Sequence, residues 1–318
     1  DRYKEGYGVS EEGIQYAAEH GFGLIVTLDC GIKANHRVAD ANAKGIDVII
    51  CDHHNPGEEL PPALAVLDPK REDCSYPYKE LSGCGVGFKL LQAFCQKNDI
   101  NERLLFDYLD LLAVSIASDI VPLMGENRIL AYYGLKKLNQ QPRPGLASLV
   151  NLCKNKRNLT ISGIVFGIGP RINAAGRMDH AGAAVDLLLA QSEEEAEVLA
   201  SSIDVQNDER RTFDSSITEE ALAMISTNED MMAAKSTVLF KNDWHKGVIG
   251  IVASRCIERY YKPTVILTES NDKVTGSARS VDGFDVYQAI SECADLLEQF
   301  GGHKYAAGLT LKEENYEA

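Results

Sequence analysis

The feature that most constrains this chain is the apolar run Val48-Ile49-Ile50-Cys51, which ends on Asp52-His53-His54-Asn55. Val and Ile make the run a buried β-strand. The strand delivers a carboxylate and two imidazoles to its carboxyl end, the edge of an open α/β sheet where ligands bind. One unit earlier, residues 22–28 read as a strand ending in Asp29-Cys30-Gly31, and residues 34–44 as a helix stopped by Gly45. A right-handed crossover keeps the two strand ends on one edge of a parallel sheet, so Asp29 and Asp52 are expected to be neighbours in space.

The rest of the chain reads as α/β throughout. Ser10-Glu11-Glu12 caps a helix running to about residue 20, and residues 64–67 form a third strand followed by Asp68-Pro69. Helices are expected over 86–95, over 104–118 ending in Asp119, and over 128–138, 145–153 and 181–189, with 167–177 as a turn-rich segment. From 192 to 225 sparse apolar residues at helical spacing in a strongly charged stretch predict one long, partly exposed helix bridging two domains. The second domain opens near residue 236: strand 237–240, helix 248–260, strands 264–267 and 274–278, helix 286–300 and strand 306–311. The expected architecture is two α/β domains, a parallel-sheet domain over 1–191 and a smaller one over 236–318. The long helix over 192–235 joins them around a central cleft.

At 318 residues, each domain can hold its own core. No apolar run approaches a membrane span. The chain opens on Asp1 with neither a basic nor an apolar leader, which reads as a fragment lacking its natural start. Its 8 cysteines include no Cys-x-x-Cys pair, which suggests reduced, packed thiols in a cytoplasmic protein. The net charge of −15 argues against general affinity for nucleic acid, though not against a local cationic groove. A carboxylate metal site itself adds negative charge that bound cations offset.

The main constellation is Asp29, Asp52, His53, His54 and Asp119. Carboxylates with one or two imidazoles suit Mn²⁺ or Mg²⁺, and two such ions would generate a hydroxide and stabilise an in-line phosphoryl displacement. The competing explanation, aspartates capping helices beside surface histidines, is reasonable for one Asp and strained for the whole set. Gly83, Gly85 and Gly87 suit a phosphate cradle or close helix packing, and stay outside the site. Arg171 and Arg177 flank a glycine turn that would aim both guanidiniums one way, for bidentate phosphate binding or for salt bridges within an acidic protein. Ser277 and Arg279 alternate along a strand and share a face suited to a phosphate, and His303 follows two glycines that admit close backbone approach. Trp244 and His245 are candidates for stacking on a base, although a chain's one tryptophan is more often core.

Asp52-His53-His54, with Leu28-Asp29-Cys30-Gly31 before it and Ala117-Ser118-Asp119 after it, resembles the DHH phosphoesterases. Gly301-Gly302-His303 resembles their associated substrate-binding domain. The stretches 169–177, 244–250 and 276–280 resemble, within that superfamily, the RecJ family of bacterial 5′→3′ exonucleases specific for single-stranded DNA. The resemblance implies Asp29, His53 and Asp119 as ligands of Mn²⁺ or Mg²⁺, Asp52 as the group orienting a ligand, and His54 on the scissile phosphate. It implies nucleic-acid or phosphate contacts for Arg171, Asn173, Arg177, Ser277, Arg279, Gly301, Gly302, His303, His245 and Arg2. It also implies mononucleotide release during DNA repair and recombination, helicase and single-strand-binding proteins as partners, and no membrane. The family has an earlier aspartate motif and a later nucleic-acid-binding domain that this sequence does not match, so the fragment is expected to bind metal incompletely and to be inactive. Rival readings are a DHH phosphoesterase of short oligoribonucleotides or cyclic dinucleotides, and a non-catalytic nucleic-acid-binding scaffold with a decayed metal site. The intact Asp29, His53, His54 and Asp119 argue against decay.

Overall fold

A computed structural model describes residues 8–154, 158–178, 181–270 and 272–316. The chain divides into two compact units, Asp1–Asp204 and Val205–Ala318.

In the first unit, helix α1 (Glu11–Glu19) starts on Ser10, whose hydroxyl accepts the Gly13 N–H, with Glu11 and Glu12 in the first turn. Strand β1 (Leu24–Leu28), helix α2 (Asn35–Ala43), strand β2 (Asp47–Cys51) and strand β3 (Ala65–Leu67) follow. The strands are parallel in the order β1-β2-β3, with Leu28, Cys51 and Leu67 in register. Side chains alternate across β2. Val48 and Ile50 pack with Ile14, Ala17, Val38 and Ala41 from α1 and α2. Cys51 faces the opposite layer, with Leu81, Val86, Phe88, Leu112 and Ile116. That layer holds α3 (Gly83–Lys97), α4 (Leu109–Ser118) and α5 (Gly125–Gln140). The helix expected over 104–118 starts later, because Glu102–Tyr108 is a 3₁₀ segment. Only Leu105 of that segment is buried, so no apolar stripe holds it as an α-helix against the core.

Helices α6 (Pro144–Asn151), α7 (Ile161–Gly163), α8 (Gly169–Met178) and α9 (Gly182–Leu189) complete the unit with the first turns of α10 (Glu193–Ser226). Leu146, Leu149, Ile164, Ile168, Leu187 and Ile203 form their shared core. The segment expected as a turn over 167–177 is helical: a π-helical stretch, Ile164–Ile168, runs directly into α8. Its glycines serve packing. A Cβ at Gly167 would lie 2.6 Å from Cys153 Sγ, and one at Gly169 would lie 2.8 Å from Ser118 Oγ.

Helix α10 is continuous over 34 residues, as the sequence predicts, and the division between the units falls inside it. The second unit adds α11 (Glu229–Ala233), β4 (Thr237–Phe240), α12 (Ile249–Tyr260), β5 (Thr264–Ser270), β6 (Lys273–Arg279), α13 (Val286–Ser291), β7 (Leu297–His303) and β8 (Ala306–Leu311). The sheet order is β4-β5-β6-β8-β7, with only the β4–β5 pair parallel. The helix expected over 286–300 ends at Ser291, and residues 297–303 form β7 instead. Val286, Ile290, Leu297 and Phe300 do share one core. The last two reach it from a strand paired with β8, a tertiary contact that overrides the local helical spacing. Trp244 is 3 % exposed inside the core formed by Leu239, Val248, Val252 and Ile266. Its indole N–H donates to Glu220 Oε2 at 2.8 Å, so the structure rules out a base-stacking role for this side chain.

The cysteines are all unbridged, and Cys51, Cys95, Cys153 and Cys256 are buried. Burial pushes the Cys51 and Cys256 thiols up to about 11, which suits packing rather than reactivity. No described helix is long and apolar enough to cross a membrane.

Candidate metal centre

The register of the parallel sheet builds the centre. Asp29 and Asp52 each follow a residue of the last rung, Leu28 or Cys51, and Asp29 N–H donates to Cys51 O at 2.9 Å. Asp29 lies at φ +66°, a left-handed conformation that Asp tolerates better than most residues. The turn there bends Asp29 back over the strand ends. Its Oδ1 is 3.1 Å from His53 Nε2.

Asp52 is 1 % exposed and organises the triplet. Its Oδ2 accepts the Ile32 N–H at 2.9 Å, and its Oδ1 accepts the His53 N–H at 2.8 Å and His54 Nδ1–H at 2.7 Å. Burial alone would raise this carboxyl. The His54 imidazole and the Ile32 and His53 amides outweigh it and hold the group at about 2. Asp52 is therefore an anion under ordinary conditions, and its bonds fix the His54 ring and the backbone at His53.

His53 is buried, and its Nδ1 lies 2.9 Å from Leu81 O. A carbonyl only accepts, so Nδ1 carries a proton and the Nε2 lone pair is left facing Asp29 Oδ1 and, at 3.4 Å, Asp119 Oδ2. A lone pair between two carboxylates is repulsive unless a cation, a proton or a metal, sits among them. Burial lowers the His53 pKa, but the Asp29 hydrogen bond and the Asp119 charge prevail and raise it.

Asp119 caps the C-terminus of α4, where the helix dipole disfavours an anion. Its Oδ2 is sealed from solvent without a hydrogen-bond donor among the described residues. Ligand atoms of Asp29, His53 and His54 lie within 4.8 Å of one another. The unsatisfied carboxylate oxygen, the exposed lone pair and the oxygen-rich donor set all suit a divalent cation such as Mn²⁺ or Mg²⁺.

Metal and proton compete for Nε2. In the metal-free protein, the stabilisation from the raised His53 pKa is fully present below the unfolded value. It is lost as pH rises through the folded one. Mn²⁺ affinity runs the opposite way, climbing roughly tenfold per pH unit while Nε2 gives up its proton and then levelling. Calorimetric Mn²⁺ titration across pH checks this, and an affinity flat with pH would contradict the assignment of Nε2.

Two features of the centre lack a distinct sequence signal. Asp68 follows Leu67 on the third strand as Asp52 follows Cys51 on the second, and it is 3 % exposed with Oδ2 unpartnered. Burial raises its carboxyl, with the Lys70 N–H opposing. The Leu-Asp-Pro pattern at a strand end was its only trace. Gly83, which the sequence leaves between a phosphate cradle and close packing, meets Asp29 itself: a Cβ there would lie 2.5 Å from Asp29 Cβ.

Arg171 and Arg177 do not act as a pair. On a helix, positions six apart point to different sides. Arg171 is 8 % exposed, and its guanidinium donates to Asp204 Oδ1 at 2.7 Å, Gly167 O at 2.7 Å and Leu152 O at 3.3 Å. Its geometry is that of an internal clamp. Gly169, Asn173 and Arg177 form one i, i+4, i+8 stripe, which begins against Ser118, the neighbour of Asp119. Asn173 is exposed on it and Arg177 half-buried.

In the second unit, Ser277 pairs with Gly308 and Arg279 with Ala306, while across β8 the same two residues pair with Gly301 and His303. Paired residues share a face. Ser277, Arg279, Gly301 and His303 therefore share one face of the sheet, with Gly308 and Ala306 between them. Arg279 NH1 donates to Ser277 Oγ at 3.0 Å, and a Cβ on Gly250, in the first turn of α12, would meet both side chains at 2.8 Å. A helix N-terminus beside a guanidinium and a hydroxyl suits an anion. Gly302 has φ +152° and no room for a side chain, since a Cβ would lie 2.3 Å from Ala306 O. His245 stacks on Phe213 at 5.1 Å. Its Nδ1 accepts the Gly247 N–H and burial lowers its pKa, so the neutral ring keeps its proton on Nε2. Arg2 lies outside the described residues.

The sequence matches the DHH family, N-terminal domain, over residues 4–116 and the DHHA1 domain over 232–318. A solved structure of exonuclease RecJ bound to manganese superposes with a TM-score of 0.84 at 32 % identity, covering 98 % of this chain and 77 % of that one. This chain belongs to the RecJ branch of the DHH family. It is 43 % identical over 318 residues to the single-stranded-DNA-specific exonuclease RecJ of Bacillus subtilis, covering 99 % of this chain and 39 % of that protein. It thus spans about two fifths of that relative's length. RecJ of Thermus thermophilus, solved with Mg²⁺, superposes with a TM-score of 0.76 at 29 % identity, covering 96 % of this chain and 45 % of that one. The DHH match contains Asp29 and the Asp52-His53-His54 triplet. The DHHA1 match contains His245, Ser277, Arg279 and the Gly301–His303 segment, and Asn173 and Arg177 fall between the two.

Proposed function

We propose that the protein at its natural length, with this RecJ-family chain supplying the metal centre and the phosphate contacts, hydrolyses phosphodiester bonds of single-stranded DNA from the 5′ end in a metal-dependent reaction, releasing mononucleotides in DNA repair and recombination. The observation that carries this reading is the His53 Nε2 lone pair facing Asp29 Oδ1 and Asp119 Oδ2, a donor set that needs a cation. The specificity named for the B. subtilis relative, and the Mn²⁺ and Mg²⁺ of the solved RecJ structures, support it.

Asp29, His53 and Asp119 hold the ions. Bound there, divalent cations would activate water and neutralise charge on the phosphate. Asp52 holds the His54 ring and the His53 backbone, while Leu81 O holds the His53 ring. His54, 43 % exposed, presents Nε2 to the scissile phosphate, and its hydrogen bond to Asp52 raises its pKa and favours the cationic, proton-donating ring. Asn173 and Arg177 position the chain near the metals, with Arg171 bracing α8 from behind. Ser277, Arg279, Gly301, Gly302 and His303 grip a backbone or 5′-terminal phosphate, with His245 on the segment leading into α12. Supply of single strands by a helicase or single-strand-binding protein, and a cytoplasmic location, belong to the same reading.

Digestion of 5′-phosphorylated single-stranded DNA, duplex DNA and dinucleotides in Mn²⁺, by the protein at its natural length, tests this function. The single strand should be the best substrate, and preference for dinucleotides would refute it. Arg279→Ala removes a charged hydrogen-bond donor and should raise KM for 5′-phosphorylated ends roughly 10- to 100-fold. The change on 5′-hydroxyl ends should be much smaller.

A further inference from the structure

Between the carbonyl that holds the His53 ring and the glycine that makes room for Asp29 lies a single residue, Ser82, which is 0 % exposed. Leu81 O lies 2.9 Å from His53 Nδ1, and a Cβ on Gly83 would stand 2.2 Å from Asp29 Oδ1. Consecutive Cα atoms are ~3.8 Å apart, so one short stretch of backbone makes both contacts. A small rotation about Ser82 would carry Leu81 O off the imidazole or press Gly83 into Asp29.

The Ser82 hydroxyl fixes that stretch from two sides. As the N-cap of α3 it accepts the Gly85 N–H at 3.1 Å, which sets where the helix begins. It also accepts the Ser115 hydroxyl of α4, in a long hydrogen bond of 3.5 Å. A hydroxyl oxygen has two lone pairs and can serve both donors. Ser115 meets α3 a second time: burial raises the Cys84 thiol, and a hydrogen bond with Ser115 opposes the rise. At the end of α4 the Asp119 N–H donates to Ser115 O at 3.0 Å. Asp119 is thus built on the same turn of α4 that grips Ser82.

We propose that Ser82, clasped by Ser115, is a positioning residue of the metal centre, holding Leu81 O against His53, Gly83 against Asp29 and the Asp119 turn in one arrangement. The proposal rests on the proposed metal-dependent function and deepens it, since it names what sets the spacing of Asp29, His53 and Asp119. Ser82 acts through the backbone of its neighbours. An ordinary helix cap would stabilise α3 and do no more. Ser10 supplies that comparison, because its hydroxyl accepts the Gly13 N–H at 3.0 Å as the cap of α1, which packs on the other face of the sheet.

Calorimetric Mn²⁺ titrations, with thermal melts in chelator, would compare variants of the protein at its natural length. Ser82→Ala should weaken Mn²⁺ binding about tenfold, the scale of groups that orient metal ligands from behind. Ser82→Gly, which keeps most of the capping preference but lacks the hydroxyl, should lose similar affinity with a smaller drop in melting temperature. Ser115→Ala should lose less, and the double variant with Ser82→Ala should bind no more weakly than Ser82→Ala alone, because groups that act as a unit are not additive. Ser10→Ala should lower the melting temperature and leave Mn²⁺ affinity within about twofold. Unchanged affinity in Ser82→Ala and Ser82→Gly would overturn the proposal. So would an equal loss in Ser10→Ala, which would trace the effect to general stability, or losses that multiply in the double variant. If wild type bound no Mn²⁺, the metal-dependent function would fall as well. Tight binding by wild type with unchanged affinity in both Ser82 variants sinks the positioning role alone.

Discussion

Replacement of His53 by alanine is expected to weaken Mn²⁺ binding and metal-dependent nuclease turnover by more than about 100-fold each, since even groups behind a metal ligand contribute ~10- to 100-fold. Both losses follow from one lone pair. His53 Nδ1 is committed to Leu81 O, so Nε2 is the nitrogen left to face Asp29 Oδ1 and Asp119 Oδ2. Without it, two carboxylates confront each other, and Asp119 Oδ2 stays buried and unpaired. The substitution also empties a tightly enclosed site, so the fold must be monitored separately. A His53→Asn variant, whose amide N–H stands where Nδ1–H does and can still donate to the Leu81 carbonyl, should retain more stability than His53→Ala while losing comparable metal affinity. Isothermal titration with Mn²⁺, with hydrolysis of labelled single-stranded DNA as a second readout, measures the effect. Survival of both metal binding and turnover in His53→Ala would refute the centre as described.

The second large effect is expected from a residue with no functional group. Gly83→Ala would put a methyl group 2.2 Å from Asp29 Oδ1 and 2.5 Å from both Asp29 Cβ and Cγ. The clash is with the root of the side chain, so no rotation of the carboxylate relieves it. Asp29 also has little freedom to retreat, because it lies at φ +66° and its N–H is bonded to Cys51 O. Either α3 lifts from the sheet edge or Asp29 leaves the centre. Overpacking of this kind costs about 1–3 kcal/mol of stability, and loss of Asp29 from the ligand set should reduce Mn²⁺ affinity at least ~10-fold. Gly85→Ala is the internal control. Its nearest contact would be 3.3 Å from Ser82 Oγ, and it should leave metal affinity within about twofold of wild type. Denaturant melts and Mn²⁺ titration of both variants separate the two effects, and equal metal affinities would show that Asp29 is not held by Gly83.

The strand ends were legible because strand periodicity and a right-handed crossover convert sequence position into spatial position. Leu28 and Cys51 had to finish on one edge, so Asp29 and Asp52 had to be neighbours. Asp68 obeys the same rule on a strand of three residues, too short to mark the aspartate as more than a turn residue. Arg171 failed to declare its direction for a different reason. Gly167, Gly169 and Pro170 suggest a turn, yet the glycines admit Cys153 and Ser118 at close range and the chain stays helical. That change of state rotates Arg171 into the protein and moves Asn173 and Arg177 onto a shared stripe. Residues 297–300 misled in the same way, since their apolar spacing fits a helix until the pairing of Phe300 with Leu309 is known.

By itself, the sequence determined the α/β class, the long charged helix and the delivery of Asp29, Asp52, His53 and His54 to one sheet edge. Each of these follows from local periodicity and chain connectivity. Tertiary structure alone decided which nitrogen of His53 is free, because that depends on the carbonyl of Leu81, a residue far along the chain. It likewise decided that Arg171 braces while Asn173 and Arg177 share a stripe, and that Gly83 makes room for Asp29. Those outcomes rest on side-chain direction and long-range packing, which no periodicity within a segment encodes.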